Sequence, residues 1–563
     1  MSPSDRGGKA LIWMISLTAI LFVVMSLSPG YLMGSGPFWQ QLSGDAAQGQ
    51  IGWFYFARDE WRWPLLATGN YNLPEGGNLL LSDSLPLFGV PAKILYQAFW
   101  PEGSLPPIYM GAWVGLCLLL QVLAGARLIW VLGGRSPLAL ISGTLILAYT
   151  PILLFRFGHA TLMGHFLILL TLTGYVEGSR RELSVRYWVA LCAVPIFSLW
   201  ITPYLAVMTA LLVVTTIADQ LRRSRLSAMG AAARLGIMGA GGAALIAMSG
   251  LLSYRTLNLG DYGVYSLNLL APFVPTPETT AGKLLYGGYP SLPGIHQWEG
   301  MAYLGTGVLL LCLAALPALK DWRFNVSKHL CLMLAVLCTL AFAISNRVGL
   351  GANEVLHIAL PESLIGALST LRGSGRFVWI AVYVVIAAAV AATLHRYGQR
   401  RGSILLAIAG LLQIIDVAPM QISLRNKSTS PAVSHIDGTT WMTLMEDHDD
   451  IFQFPSFECG GLFGRGIPGT HMDELEIHAI AARMNKPSNS AYLARYIKDC
   501  EQERIDAGTG HRRDRTLYLF RSDQTTGQWL AEHGELSHGC GYLDNVVICS
   551  GHQDLSWIDK TTE

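Results

Sequence analysis

Long apolar segments alternate with polar loops as far as residue 418. A helix that crosses a bilayer needs about 20 mainly apolar residues, and about eleven segments of this chain reach or approach that length. These segments are residues 11–28, 107–132, 138–155, 162–178, 187–200, 203–218, 235–253, 301–319, 330–345, 377–394 and 403–418. The pattern predicts an α-helical polytopic membrane protein.

The apolar run at residues 187–218 is too long for one straight membrane helix, because it holds roughly thirty residues where about 20 suffice. The sequence Ile201-Thr202-Pro203 interrupts this run. Two short helices joined by a turn at Pro203 fit the pattern better. One helix kinked at the proline is the alternative.

Lysine and arginine fall mainly in every second loop, and this distribution predicts the orientation. Basic residues in short loops mark the cytoplasmic side of a membrane protein. The basic loop positions are Arg6, Lys9, Arg135, Arg180, Arg181, Arg186, Arg222, Arg223, Arg225, Arg234, Lys320, Arg323, Lys328, Arg396, Arg400 and Arg401. The alternate loops at 44–93, 156–161, 254–300 and 346–376 are less basic, so we expect them to face outward. With an odd number of helices, the N-terminus is then cytoplasmic and the tail lies outside.

The tail, residues 419–563, is polar and contains alternating strand and helix patterns. Strand-like runs cover residues 450–454, 516–520 and 545–549, and helical patterns cover residues 473–484 and 489–503. Such alternation is typical of an α/β domain. We therefore predict a transmembrane domain at residues 1–418, with a long first outer loop at 29–106, and a soluble α/β domain at residues 419–563.

The composition supports a membrane protein and gives no sign of nucleic-acid binding. Charged residues make up 14% of the chain, whereas soluble proteins average about 25%. The net charge of +1 is too small to indicate a nucleic-acid partner. The lipid bilayer is therefore the first partner that the sequence predicts.

Four of the nine cysteines lie in the polar tail, at Cys459, Cys500, Cys540 and Cys549. An even number of cysteines outside the cytoplasm predicts two disulfides, with the connectivity left open. Metal binding is the alternative, but no Cys-x-x-Cys spacing supports it.

The first outer loop contains the acidic residues that are candidates for catalysis. Its stretch at residues 44–93 is acidic, rich in glycine and aromatic residues, and carries Asp45 and Asp83. A carboxylate at the mouth of a membrane cavity is costly unless it is used or paired. Each of the two could act as a general base or a metal ligand. The alternative for each is a helix cap or a turn residue.

Two basic segments of the outer loops are candidates for phosphate binding. Arg156 and His159 lie in a short turn, with His165 in the next helix, and such groups make charge-assisted hydrogen bonds to phosphate. The alternative is an arginine that reaches the membrane interface and histidines that pack. Arg372 and Arg376 flank Gly-Ser-Gly before a helix, where positive charge and backbone N–H groups favour a phosphate or pyrophosphate. Contact with lipid headgroups is the alternative there.

Several short motifs, taken in order, carry a resemblance to a known family. They are Gly44-Asp45…Trp53…Phe56, Asp83-Ser84-Leu85-Pro86-Leu87, Arg156-Phe157-Gly158-His159…Leu162…His165, Glu299-Gly300…Tyr303-Leu304-Gly305 and Arg372-Gly373-Ser374-Gly375-Arg376-Phe377. In this order and topological placement, the chain resembles a family of uncharacterised bacterial polytopic membrane proteins. That family is similar to the GT-C class of glycosyltransferases, which use polyprenyl-phosphate-linked sugars. The resemblance covers nearly the whole chain.

The resemblance implies roles for the acidic residues. In GT-C enzymes an acidic residue in the first outer loop acts as catalytic base or binds a metal ion, and Asp45 matches that position. Asp83 is the expected supporting carboxylate. Many members carry two adjacent acidic residues, whereas Asp45 is followed by Ala46. The resemblance therefore leaves a divalent metal ion as an option and establishes no cofactor.

The resemblance also implies where the donor is held. Basic residues at outer helix ends commonly bind the lipid phosphate in GT-C enzymes. The substrate-binding residues that we expect from these motifs are Arg156, His159, Glu299, Arg372 and Arg376.

We therefore expect a glycosyltransferase of the bacterial inner membrane, with a cytoplasmic N-terminus and a periplasmic tail. It would transfer a sugar from a polyprenyl-phosphate-linked donor to a glycan, lipid or protein acceptor. One alternative is a transporter or flippase for a lipid-linked glycan, which charges in the middle of helices would favour; the spans carry few besides Arg127 and Asp416. The other is a non-catalytic scaffold in envelope polysaccharide assembly.

Overall fold

A computed structural model of the chain describes residues 3–40, 44–254, 262–286, 297–321, 328–431, 433–463, 470–494, 496–509, 515–523 and 539–560. Within these ranges there are nineteen α-helices and nine short strands. The helices are α1 (Pro3–Ser26), α2 (Pro29–Leu32), α3 (Gly44–Arg58), α4 (Pro86–Phe99), α5 (Met110–Leu132), α6 (Pro137–Ala148), α7 (Pro151–Leu154), α8 (Phe166–Arg180), α9 (Val185–Ser198), α10 (Pro203–Arg222), α11 (Ala228–Ser249), α12 (Thr280–Tyr286), α13 (Thr306–Asp321), α14 (Leu330–Ile344), α15 (Glu362–Ser369), α16 (Val378–Lys427), α17 (Gly438–Glu446), α18 (Thr470–Arg483) and α19 (Cys500–Thr509). The strands are β1 (Ala67–Thr68), β2 (Gly77–Asn78), β3 (Arg347–Leu350), β4 (Asn353–His357), β5 (Asp450–Phe454), β6 (Thr516–Arg521), β7 (Gly541–Leu543), β8 (Val546–Ser550) and β9 (Asp559–Lys560).

Six helical stretches in the described ranges are long and apolar enough to cross a membrane: α1, α5, Ala160–Arg180 (a helical turn that continues into α8), α10, α11 and α16. Helices α6, α9, α13 and α14 are shorter and also apolar. Helix α16 has 50 residues, and the left-handed backbone of Gly398 (φ 69°) divides it into two halves that match the last two apolar segments. The apolar segments thus coincide with helices, which confirms a multi-pass α-helical membrane protein.

Prolines set several of the helix boundaries. The apolar run that contains Pro203 forms two helices, because α9 ends at Ser198 and α10 begins with the proline at its first position. This confirms the prediction of two helices over one kinked helix. Pro151 likewise begins the short helix α7, so that α6 stops earlier than its apolar pattern indicates. A proline has no N–H and is tolerated at the start of a helix, where no N–H partner is needed.

The charges inside the spans are held by local contacts. Asp416 accepts hydrogen bonds from the Tyr303 hydroxyl at 2.8 Å and from the backbone N–H of Thr306 at 2.9 Å, and so ties α16 to the start of α13. Arg127 of α5 pairs with Glu177 of α8. Asp416 and Glu177 are buried, and buried charges are costly unless paired and hydrogen-bonded, so these contacts have a structural role.

Contacts divide the chain into two compact units. The first, which we call the helical unit, contains Met1–Leu32, Ala112–Ala243 and Asn258–Ser428. The second, the composite unit, contains Met33–Gly111, Ala244–Leu257 and Thr429–Glu563. The composite unit thus joins most of the first loop to the tail, and α16 runs through residue 418 to Lys427 before the tail begins.

The tail part of the composite unit contains a five-stranded sheet in the order β5-β6-β8-β7-β9. Strands β5 and β6 are parallel, and β6 pairs with β8 antiparallel. Helix α18 lies between β5 and β6 in sequence, as a crossover between parallel strands requires. Its apolar core includes Trp441, Ile477 and Leu517. The predicted α/β character of the tail and all three of its predicted strands are confirmed.

The helix predicted at residues 489–503 is wrong over most of its length. Helix α19 begins only at Cys500. Upstream of it, Ser488 forms isolated parallel bridges with Tyr71 and Ile451 instead of a helical turn. Pairing with residues distant in sequence has overridden a local helical pattern.

The four tail cysteines form two disulfides, Cys459–Cys500 and Cys540–Cys549. This confirms the predicted pairing and supplies the connectivity that the sequence left open. The first links the turn after β5 to the beginning of α19. The second joins β8 to the residue that precedes β7.

Candidate active site

Helix α3 carries Asp45 in its first turn. The first turn of a helix presents backbone N–H groups and the positive end of the helix dipole, which favour a negative charge there. The residue is half-buried. Asp45 is therefore at a helix start, as the cap alternative requires, and it is not fully buried, as a general base requires.

Two glycines allow a turn of the first loop to pack against α3. The Ser84 hydroxyl donates to the Gly49 carbonyl at 2.7 Å. A Cβ at Gly52 would lie only 2.0 Å from the Ser82 Oγ, so a side chain at this position would push the turn away. Asp83 lies in this turn with φ 58°. The structure thus packs the turn that carries Asp83 against the helix whose first turn carries Asp45.

A tail residue completes the surroundings of Asp45. The Tyr492 hydroxyl donates a hydrogen bond to Asp45 Oδ1 at 3.3 Å. Both residues belong to the composite unit. No pattern in the sequence indicates this contact, because residues 489–503 have a helical pattern and nothing in that pattern pairs them with the first loop.

The helical unit contains a second cluster, formed by Arg156, Glu299 and Arg376, which we call the Glu299 cluster. Arg156 donates to Glu299 Oε2 at 2.6 Å and to the Glu299 carbonyl at 2.7 Å. Arg376 donates to the same carboxylate twice, at 2.8 and 2.9 Å. Such charge-assisted, two-point pairs are stronger and more specific in geometry than neutral hydrogen bonds.

Burial and charge oppose each other in this cluster. Glu299 is 6% exposed and Arg156 is 1% exposed, so Arg156 does not reach the membrane interface as the alternative proposed. Burial alone would raise the pKa of Glu299, but the neighbouring charges of Arg156 and Arg376 hold it well below its usual range. Two arginines against one carboxylate leave the cluster with a net positive charge.

Glycines shape the chain around Arg372 and Arg376. A Cβ at Gly375 would lie 2.5 Å from the Cα of Gly300, and therefore only glycine allows this segment to pass so close to the residue after Glu299. The Arg376 guanidinium lies 4.5 Å above the Tyr204 ring, and that of Arg372 lies 5.3 Å from the Tyr265 ring. Both arginines precede α16, as predicted.

The two histidines differ in their surroundings. His159 is half-buried and is among the neighbours that lower the pKa of Glu299, which places it beside the Glu299 cluster. His165 is fully buried, shares a hydrogen bond with the Tyr383 hydroxyl at 2.9 Å and stacks on Trp379 at 4.2 Å. His165 is thus a packing residue, as the alternative reading stated.

The candidate residues therefore fall into two groups. Asp45 and Asp83 belong to the composite unit, and the other candidates belong to the helical unit: Arg156, His159, Glu299, Arg372 and Arg376. Carboxylate oxygens are ligands for hard divalent cations. Among the residues that the structure describes, however, no group of three or more His, Cys, Asp or Glu has the arrangement of a metal site.

The fold and these sites define a multi-pass α-helical membrane protein with a C-terminal α/β domain and two charged clusters. The chain belongs to the family called domain of unknown function DUF6311, whose family model matches residues 16–418. The model of the DUF6311 C-terminal domain matches residues 440–551.

Comparison with solved structures finds similarity to ArnT and to the oligosaccharyltransferase AglB. ArnT from Cupriavidus metallidurans in the apo state is 12% identical, with 99% of this chain and 100% of that chain covered and a TM-score of 0.47. ArnT bound to undecaprenyl phosphate is also 12% identical, with 97% and 98% covered and a TM-score of 0.41. The oligosaccharyltransferase AglB from Archaeoglobus fulgidus, in complex with an inhibitory peptide and a dolichol-phosphate, is 12% identical over 85% of this chain and 64% of that chain, with a TM-score of 0.41. A search of curated protein sequences gave no match.

Proposed function

We propose that this protein is a glycosyltransferase of the bacterial inner membrane. It transfers a sugar from a polyprenyl-phosphate-linked donor to a glycan, lipid or protein acceptor on the periplasmic side. The observation that carries the proposal is the position of Asp45, a half-buried acidic residue at a helix start with a tyrosine hydroxyl hydrogen-bonded to its carboxylate. A general base must reach the proton that it removes, and the incomplete burial of Asp45 supports this role.

In the proposed reaction, Asp45 accepts the proton of an acceptor hydroxyl. The acceptor oxygen forms a bond to the anomeric carbon of the sugar as the bond from that carbon to the phosphate oxygen breaks. The bonding electrons leave with the phosphate, and the products are the glycosylated acceptor and the polyprenyl phosphate. Asp83, in the turn packed against α3, supports the acidic site.

The basic residues of the helical unit are proposed to hold the leaving phosphate. Both Nη groups of Arg156 donate to Glu299, so this arginine acts by fixing Glu299 in place. Arg376 is oriented by the same carboxylate. Arg372 stacks on Tyr265, and we assign it the direct contact with phosphate. The net positive charge of the Glu299 cluster, with His159 beside it, favours an anion nearby.

The test compares cells that express the wild type with cells that express Asp45→Asn in its place. Asparagine keeps the shape of the side chain and caps a helix well, but it cannot accept the proton. Mass spectrometry of glycans, lipids and membrane proteins is expected to show a sugar-bearing product that is lost in the variant. Loss of a general base costs about 10²–10⁴ in rate.

Three outcomes of this test separate the alternatives. A stable Asp45→Asn protein that makes the product at the wild-type rate removes Asp45 from the mechanism. Unchanged product in the Asp45→Asn cells, together with a donor that stays on the cytoplasmic side in cells that lack the gene, supports the transporter. Loss of product in the deletion, with full complementation by Asp45→Asn and by Arg372→Ala, supports the scaffold.

A further inference from the structure

Residues 487–494 of the tail run between β5 and the first loop. The Ile451 N–H donates to the Pro487 carbonyl at 2.9 Å. On the other side, the Ser488 N–H donates to the Asn70 carbonyl at 3.1 Å. The segment therefore connects the tail sheet to the first loop by backbone hydrogen bonds, within one compact unit.

Tyr492 is fixed on several sides at the far end of this segment. Its backbone N–H donates to the Tyr71 hydroxyl at 2.9 Å, and Tyr71 is itself buried and stacked on Tyr55 of α3 at 4.8 Å. Its ring packs on Phe457 at 4.8 Å. Two residues later, the Ala494 N–H donates to the Leu81 carbonyl at 2.6 Å. The orientation of the Tyr492 side chain is thus set before any substrate is bound.

The residues that support Tyr492 are themselves tied together. Glu458 accepts a hydrogen bond from the Leu493 N–H at 3.1 Å. The next residue, Cys459, is linked by its disulfide to Cys500. The turn that carries Phe457 and Glu458 is therefore joined covalently to the start of α19. This link limits how far the turn can move away from Tyr492.

We infer that Tyr492 is a positioning residue that orients the Asp45 carboxylate for proton removal. The inference rests on the proposed function of Asp45. A carboxylate at the start of a helix rotates about two side-chain bonds, and one hydrogen bond from a fixed phenol restricts this rotation. The C-terminal domain thus contributes a functional group to the candidate active site, and the site is incomplete without the tail.

The experiment replaces Tyr492 by phenylalanine in the full-length protein. Tyr492→Phe removes the hydroxyl and keeps the ring that packs on Phe457. The matched control is Tyr542→Phe, which removes a tyrosine hydroxyl from the same unit, where it donates to Asn545 Oδ1 at 3.2 Å. Each protein is placed in nanodiscs and supplied with a lipid extract of the native host, which contains the cell's own donor.

The rate is measured for the product that disappears in Asp45→Asn, at limiting and at saturating amounts of extract. A hydrogen bond to a charged group contributes enough that its loss lowers the saturated rate about tenfold or more. We expect this loss in Tyr492→Phe with an unchanged half-saturating amount and an unchanged Tm, and no loss in Tyr542→Phe. Adding Tyr492→Phe to Asp45→Asn should lower the rate no further, because the two residues act as one unit.

The outcomes distinguish this inference from the proposed function. If Asp45→Asn is inactive while Tyr492→Phe matches Tyr542→Phe, the inference is wrong and the proposed function stands. If Asp45→Asn is fully active, the proposed function fails and the inference fails with it. If Tyr492→Phe lowers the Tm, 3-fluorotyrosine is incorporated at position 492, because it keeps the hydroxyl. Recovery of the rate then supports positioning by the hydroxyl, and no recovery of the rate in a protein of wild-type Tm overturns it.

Discussion

The Glu299 cluster gives the sharpest prediction on stability, through the substitution Glu299→Gln. The glutamine has nearly the same shape, so packing is preserved while the negative charge is removed. Arg156 then stays buried, at 1% exposure, without its counter-charge. Removing one partner of a buried ion pair costs about 3–5 kcal/mol, because the remaining charge is left uncompensated. This is a large share of the roughly 5–15 kcal/mol that stabilises a typical protein.

An exposed ion pair in the same unit supplies the matched control. Arg347 and Glu354 pair across the β3–β4 hairpin with a nitrogen–oxygen distance of 2.8 Å and side-chain exposures of 45% and 36%. Because water and salt screen exposed pairs, Glu354→Gln should cost only about 0–1 kcal/mol. The two variants make the same chemical change, and they differ in whether the partner arginine is buried.

The assay is denaturant-induced unfolding of each variant in detergent, followed by tryptophan fluorescence. A second variant, Glu299→Gln combined with Arg156→Met, removes both charges and should recover part of the lost stability. The low pKa of Glu299 means that its contribution persists above about pH 4.3 and is lost only as the pH falls through its lower folded-state value. Equal losses for Glu299→Gln and Glu354→Gln would refute the reasoning that burial makes the charge indispensable.

Three further predictions concern other parts of the molecule. Arg372→Ala should weaken binding of undecaprenyl phosphate, measured in nanodiscs, by about 1.5–3 kcal/mol, whereas Arg347→Ala should not; equal affinities would show that Arg372 is only a membrane anchor. Burial raises the pKa of Glu474 from 4.5 to about 7. Between these two pH values the Glu474 carboxyl therefore binds more protons in the folded protein than in the unfolded chain. Its contribution to stability is therefore complete below pH 4.5 and is lost as the pH rises through 7; Tm measured against pH should fall less steeply in Glu474→Gln, and identical slopes would contradict this. Reporters fused at Gly230 and at the C-terminus should lie on opposite sides of the membrane, and the same side for both would overturn the predicted orientation.

Local patterns account for the parts of the fold that could be predicted. Membrane helices are recognised by the length of their apolar segments, and the strands of the tail by short runs of β-branched and aromatic residues. Pro203 marked a helix start correctly because proline acts on its own neighbours. Properties that depend on a few adjacent residues are therefore readable from the chain alone.

The contacts of the candidate sites depend on residues that are far apart. Arg156 and Glu299 are 143 residues apart in sequence, and Tyr492 lies 447 residues from Asp45. No periodicity links such positions. The motifs of the resemblance predicted Arg156, Glu299 and Arg376 as substrate-binding residues, but they did not indicate that these residues pair with one another. Tyr492 was missed for the same reason, since its neighbours read as a helix until their pairing with the first loop is known.

The division of the composite unit between the two ends of the chain has a consequence for biosynthesis. Asp45 leaves the ribosome long before Tyr492, which is synthesised 447 residues later. At about 5–20 residues per second, the interval is roughly 20–90 s. During this time the first loop lacks residues 487–494, which bind it by backbone hydrogen bonds, and the Tyr492 hydroxyl. A chain that terminates before residue 492 therefore has an acidic site without its tyrosine.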